Sequence, residues 1–305
     1  MKYFGGAVRN YLIMLSAYLL LALLMPINRV EAHHYMLSAE AYHVLRFSLA
    51  LPLAILWLVA FYGAERVRMY ARSVAKTPEG KAYAMISKGC SWLAWGLILV
   101  PTASLVLKGI VNVSAGFRPT MIIIINYLEL LFTIISFSYI ATGARQMAAH
   151  AKRTYTPTAA ISSQVIFIAG GVLYGYLTFR HLDLLSITST HNPYFMPVWL
   201  IIISIIIPSL YAWFIGLLAA YDIILTSQQS QGVLYRKALQ LLAFGLVILI
   251  GGLIAIQYLH TVSPRTGLLS LSPALALTYA IYMIMMLGFT LVFLGSRQLK
   301  RIEEV

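Results

Sequence analysis

The residue whose type and position best suit chemistry is Glu129, a carboxylate within the apolar run 120–142. It lies about nine residues into that run, which is about 13 Å from its start at the rise of an α-helix. A carboxylate inside a membrane is costly, so it usually pairs with a cation or faces a cavity. Lys108 and Arg46, near the ends of the two preceding apolar runs, are the candidate partners. Two interpretations stay open: a buried structural ion pair, and a substrate or proton site.

Histidines form the second group with a chemical use, because imidazole binds borderline metals such as zinc and copper. Five lie in or beside the segments between apolar runs: His33, His34, His181, His191 and His260. They come from distant parts of the chain, so the pattern predicts at most a weak metal site. Sensing of pH by an envelope sensor is a second interpretation, and ordinary histidines at the membrane surface are a third.

The motifs of the common enzyme classes are missing from the sequence. It contains no phosphate-binding glycine loop, no G-x-S-x-G turn and no H-E-x-x-H helix. Cys90 is the only cysteine, which excludes a disulfide within one chain and a thiolate metal cluster. We therefore expect a protein that is not an enzyme, and the sequence names no cofactor.

The composition indicates that most of the chain lies in a lipid bilayer rather than in water. Hydrophobic residues make up 61% of the 305 positions and charged residues only 10%, less than half of what soluble domains carry. An apolar run of about 20 residues crosses a bilayer as a helix. We predict an all-α polytopic membrane protein with eight spans. The spans are 11–27, 45–63, 89–111, 120–142, 161–179, 196–222, 236–259 and 272–295.

The distribution of basic residues predicts the topology. With the amino terminus inside, sixteen of the 22 lysines and arginines lie on the inner side and six on the outer side. This bias is typical of cytoplasmic loops. We therefore expect a bacterial or archaeal cytoplasmic membrane, a cytoplasmic carboxyl terminus, and no binding of nucleic acid despite the net charge of +13. The expected partners are the lipid bilayer and either other membrane proteins or copies of this chain.

The first span has a second interpretation as a secretory signal. Lys2 and Arg9 precede an apolar run, and Val30 and Ala32 place small residues where a signal peptidase prefers them. Cleavage after Ala32 leaves seven spans and makes His33 the amino terminus. The sequence does not separate the two alternatives.

An internal repeat is the main prediction about architecture. Pro52 and Trp57 recur 156 residues later as Pro208 and Trp213. The segment Lys88 to Leu97 recurs at an offset of 149, which pairs Gly96 with Gly245, and Tyr127 to Gln146 recurs at an offset of 152. Two parallel three-helix repeats joined by a linker helix follow. The predicted divisions are 1–43, 44–153, 154–194 and 195–305.

Several polar residues occupy matching places in the two repeats. Pro52 and Pro208 are predicted to kink their helices and free the carbonyls of Ser48 and Ser204. Glu65 and Asp222, near the inner ends of their spans, are expected to pair with neighbouring basic residues in wet surroundings, where the pairs contribute little to stability.

Parallel repeats occur in transporters, with the substrate site between them. The predicted function is therefore transport of a small solute or ion through a pathway between the repeats, with Glu129, Lys108, Arg46, Ser48 and Ser204 as candidates. The alternatives are a membrane scaffold or accessory subunit, and an envelope sensor.

Overall fold

The computed structural model describes residues 39–111, 118–152, 207–230, 232–261 and 271–303, together with seven positions between 9 and 20. Every described element is helical. In chain order the long helices are α1 (Ala39–Ser73), α2 (Pro78–Val111), α3 (Arg118–Lys152), α4 (Ile207–Gln229), α5 (Val233–Thr261) and α6 (Leu271–Glu303). The predicted fifth span, 161–179, and most of the first lie outside these residues.

The six helices pack in a ring. Each one contacts the helices before and after it in the chain, and α6 closes the ring against α1. Neighbours within α1–α3 and within α4–α6 are antiparallel, as shown by the contacts of Phe61 with Trp95 and of Gly245 with Gly288. The helices α3 and α4 run in the same direction, and so do α6 and α1. We call these two contacts the α3·α4 seam and the α6·α1 seam.

One end of the ring is rich in lysine and arginine. There α1, α3, α4 and α6 finish and α2 and α5 begin. We call it the basic end. It carries Arg66, Arg68, Lys81, Lys88, Arg145, Arg236, Lys237 and Arg297.

Four described helices contain stretches long and apolar enough to cross a membrane: Glu79–Ala103, Ile207–Gln229, Val233–Ile256 and Ala276–Lys300. Each of these stretches covers part of one predicted span: the third, sixth, seventh and eighth in turn. The helices α1 and α3 are also long. In the part of α1 whose side chains are described, Glu65, Arg66 and Arg68 are too many charges for a membrane-spanning stretch. An all-helical membrane protein is therefore supported, whereas the count of eight spans is not.

The apolar surface divides between the ring and its surroundings. Large side chains such as Trp57, Tyr83, Phe137 and Phe289 are fully buried between helices. Others point away from the ring and are more than half exposed, including Phe214 and Phe244. Such exposed apolar side chains suit contact with lipid, since a soluble surface does not leave them open over whole helices.

Candidate functional site

Glycines bring α2 and α3 into backbone contact. A Cβ atom added to Gly89 would lie 2.5 Å from the carbonyl oxygen of Ser136, and one added to Gly143 would lie 2.5 Å from that of Ala82. No side chain fits at such distances, so only glycine permits this approach. The two helices therefore form a tightly joined pair.

The pair α5 and α6 is built in the same way. A Cβ atom added to Gly245 would lie 2.7 Å from the carbonyl oxygen of Gly288, and one added to Gly295 would lie 2.6 Å from that of Ala238. By contrast, a Cβ atom on Gly251 would meet nothing within 4 Å. The close approach is thus a property of the buried helix face rather than of every glycine on α5.

The two seams each bring a glycine close to a phenylalanine of the neighbouring helix. At the α3·α4 seam the ring of Phe137 comes within 3.1 Å of where Gly216 would carry a Cβ. At the α6·α1 seam the corresponding position on Gly63 is 3.3 Å from the carbonyl oxygen of Phe289. The closest backbone approach is therefore looser at the seams than inside the glycine pairs.

A polar cluster joins α2 to α5 across the ring at its basic end. The hydroxyl oxygens of Tyr83 and Tyr235 are 3.1 Å apart, and the Tyr235 hydroxyl also donates to Oε2 of Glu79 at 3.3 Å. The ring of Tyr70 packs edge-on against that of Tyr83, with centroids 4.6 Å apart. We call Glu79, Tyr83 and Tyr235 the cross-ring cluster; its Glu79 is exposed.

An ion pair spans the α3·α4 seam near the same end. Nε of Arg145 lies 3.6 Å from Oδ2 of Asp222, and the two side chains are 22% and 12% exposed. The expectation that Asp222 pairs with a basic neighbour is confirmed, but the expected wet surroundings are wrong, because Asp222 and Glu65, taken as whole residues, are each only 9% exposed. Glu65 meets the same expectation within α1, where it accepts from Arg68 at 2.9 Å.

Most hydroxyl groups on α3 are satisfied by their own helix. Thr133, Ser136, Ser138 and Thr142 each donate to the carbonyl oxygen four residues earlier, at 2.5–2.9 Å. Such bonds let a hydroxyl lie in an apolar surrounding without a partner on another helix. Glu129 lies at the start of this stretch, and an ionised carboxylate cannot form such a bond because it has no proton to donate.

Glu129 is half-buried and lies on the face of α3 that meets α2, one turn beyond Phe132. Among the side chains that the structure describes, none forms an ion pair with it. Because Gly96 packs on Phe132, Glu129 is level with about Leu99 on α2. Lys108 then lies about 13 Å further along the axis, and Arg46 is further still. This register does not favour the predicted pairing.

The remaining predicted site residues are placed only in part. Pro52 is inside α1, as predicted, whereas Pro208 is the second described residue of α4 and the chain before it, with Ser204, lies outside. Arg46, Ser48, Lys108 and His260 occupy helical positions, but their side chains are outside the described part. His33, His34, His181 and His191 are outside it altogether, so the metal hypothesis stays a prediction. The described residues bring no three metal-binding side chains together.

The cross-ring cluster was not predicted from the sequence. Its signal was present nonetheless, because Glu79 and Tyr235 are 156 residues apart, the offset that also relates Pro52 to Pro208. Residues related by a twofold repeat touch each other only where they lie at the axis. Comparison of the chain with protein-family models, with curated proteins and with solved structures finds no match.

Proposed function

We propose that the chain is a transporter of a small solute or ion, made of two similar three-helix halves that move against each other. The observation that carries this proposal is the difference in packing. Backbone-close glycine pairs join α2 to α3 and α5 to α6. The helices α1 and α4 contact their neighbours across the seams at least as extensively as they contact α2 and α5. A hydroxyl cluster joins α2 to α5 at the basic end. Parallel repeats that rock about a shared site are a known transport architecture.

The contacts support a repeat with an offset of 156 for the second helix, in place of the 149 predicted from the sequence. At 156, Gly89 corresponds to Gly245, and Gly96 corresponds to Gly252. Gly89 packs on Ser136 and Ile140; Gly245 packs on Gly288 and Val292, which are 152 residues later. These contacts support the proposed repeat at the new offset, although Gly96 packs on Phe132 and Gly252 packs on Met285, which are 153 residues apart.

The same offsets relate the second glycine contact. Gly143 meets Ala82 and Ile86, and its counterpart Gly295 meets Ala238 and Leu242. The difference is 152 on α3 and α6 and 156 on α2 and α5. With these offsets, Glu79 and Tyr235 are counterparts that touch, which fits a twofold axis passing between them. The basic end then faces the cytoplasm by the positive-inside rule.

In this proposal the cross-ring cluster is the inner gate. Tyr83, Tyr235 and Glu79 come from different halves and hold the basic end shut by neutral and charge-assisted hydrogen bonds, which break more readily than a packed apolar seam. Glu129 is the candidate for the transported ion or proton, because its counterpart 152 residues on is Ile281, which is buried and apolar. We propose no enzymatic activity.

Two disulfide locks test the proposal. In a Cys90→Ala background, Gly63→Cys with Phe293→Cys places Cβ atoms about 4.0 Å apart across the α6·α1 seam. The matched control, Gly252→Cys with Met285→Cys, places them 3.7 Å apart inside one half. Both distances suit a disulfide. Oxidation should stop flux in the first variant and leave it in the second, and reductant should restore it.

The flux is measured in liposomes with a defined panel: protons, sodium, potassium, chloride, phosphate and amino acids. Glu129→Gln should abolish the flux found for wild type, and Glu65→Gln, a carboxylate bound to Arg68, serves as its control. Flux that survives the seam lock would contradict movement of the halves. Wild-type flux in Glu129→Gln would remove that residue from the pathway.

A scaffold or accessory subunit is the second candidate. Its support is the α3 hydroxyl groups, which are satisfied within their own helix and leave few polar groups for a pathway. This alternative predicts no flux for any solute of the panel, together with a membrane partner that co-purifies in fixed ratio. The seam lock then leaves binding of that partner unchanged.

A further inference from the structure

The α6·α1 seam holds an arginine whose hydrogen bonding is incomplete. Nη2 of Arg66 donates to the Tyr62 hydroxyl at 2.7 Å. The guanidinium also lies 5.0 Å from the centroid of the Tyr62 ring and 5.8 Å from that of Phe293. Its Nε atom is buried and has no hydrogen-bond partner among the described residues. A buried N–H of a charged group needs an acceptor, which a water or an anion can supply. Nε of Arg68 is in the same state, although Arg68 is paired with Glu65.

A second cation lies further along the same seam, towards the basic end. Arg297 follows Phe293 by one turn on α6, and its side chain is exposed. The only described carboxylate near Arg66 on α1 is Glu65, and that one already binds Arg68 at 2.9 Å. At the offsets of 156 and 152, Arg66 corresponds to Asp222 and Arg297 corresponds to Arg145. The α6·α1 seam thus carries two cations where the other seam carries an ion pair.

We propose that Arg66 and Arg297 bind a phosphate group, supplied by the headgroup of an anionic lipid. Phosphate oxygens accept hydrogen bonds from the planar guanidinium fork, and arginine is the preferred residue for such contacts. A lipid is favoured over free phosphate because Leu287 and Leu294 continue from Arg297 along α6 away from the basic end. They are 51% and 36% exposed and offer an apolar surface for an acyl chain.

Native mass spectrometry of the full chain tests the site. The protein is titrated with phosphatidylglycerol or with phosphatidylcholine, which carry the same acyl chains. Wild type should retain phosphatidylglycerol in preference, and Arg66→Gln and Arg297→Gln should each lower its apparent affinity by about tenfold, the worth of one charged hydrogen bond. Lys237→Gln, which removes an exposed cation at the same end of the ring, should leave it unchanged.

A second titration with inorganic phosphate separates the two sources. If phosphate alone binds and the arginine variants weaken it equally, the site takes a free anion and the phosphate chemistry stands. If phosphate does not bind but phosphatidylglycerol does, the ligand is a lipid. Because the Arg297 side chain is exposed, Arg297→Gln should fold normally, so a loss of lipid binding in this variant is not caused by misfolding. Equal retention of phosphatidylglycerol by wild type and both arginine variants would overturn the proposal.

Discussion

The two seams of the ring have the same apolar packing and opposite electrostatics. Phe137 packs against Gly216 at one seam, and Phe289 packs against Gly63 at the other. Both rings are buried, at 0% and 1% exposure. Near the basic end, however, Arg145 and Asp222 form an ion pair across the α3·α4 seam, whereas at the α6·α1 seam the described side chains include no carboxylate paired with Arg66.

This difference indicates that apolar packing forms the ring, whereas the charges at each seam determine what that seam binds. Ring closure needs matching apolar surfaces, and these are equivalent at both seams. The charges at the seam ends can differ between the seams, because the apolar packing that closes the ring does not depend on them. We infer that the seams share a structural origin and have separate ligands. At the α3·α4 seam, Arg145 is paired with Asp222 within the protein. At the α6·α1 seam, Arg66 and Arg297 bind an anion in our proposal.

The largest effect should come from removing the seam aromatics. Phe137→Ala and Phe289→Ala should each destabilise the chain by about 3–5 kcal/mol, because both leave a cavity between helices. Phe244→Ala makes the same change on a ring that is 56% exposed and should cost far less. Loss of the monomer peak after heating in detergent measures the three variants. Clearly unequal losses for Phe137 and Phe289 would break the equivalence of the seams.

A smaller effect should follow from neutralising the ion pair. Asp222→Asn leaves Arg145 without its carboxylate and should cost about 1–3 kcal/mol, because the pair is largely buried. Glu65→Gln removes a carboxylate whose arginine is 42% exposed and should cost less than about 1 kcal/mol. The same heating assay compares them. Equal losses of stability in the two variants would show that burial does not strengthen the pair of Arg145 and Asp222.

The smallest effect tests the seams against each other. Arg66→Asp places a carboxylate where Asp222 stands in the other half, so it should couple to Arg297. A double-mutant cycle with Arg297→Gln should give a coupling of about 0.5–1 kcal/mol, the value of a partly exposed pair. The control is the same cycle with Arg66→Gln in place of Arg66→Asp. It should give no attractive coupling to Arg297. Absence of coupling would mean that Arg297 does not face position 66.

The sequence predicted the helices and part of the charge pairing. Long apolar runs determine where helices lie, and Asp222 was expected to find a cation because a carboxylate near an apolar surface needs one. The offset of the second helix was harder to predict. Gly89 and Gly96 are seven residues apart, which is two turns on one face, so offsets of 149 and 156 both align small residues. Only the partner helix decides between them.

The cross-ring cluster and the depth of Glu129 required coordinates for the same reason. Glu79, Tyr83 and Tyr235 are unremarkable as single residues, and their meeting depends on the closure of the ring. Lys108 and Glu129 are both near the outer part of their spans in the sequence. The packing of Gly96 on Phe132 sets their relative height, which no pattern within one helix specifies.

The central claim is that two similar halves face the same way about an axis between Glu79 and Tyr235. The most direct measurement is an experimental structure in a lipid nanodisc, with α1–α3 superposed on α4–α6 at offsets of 156, 156 and 152. We expect a rotation close to 180° about the membrane normal, with Gly89 falling on Gly245. A best superposition at 149 for α2, or an axis lying in the membrane plane, would contradict the account.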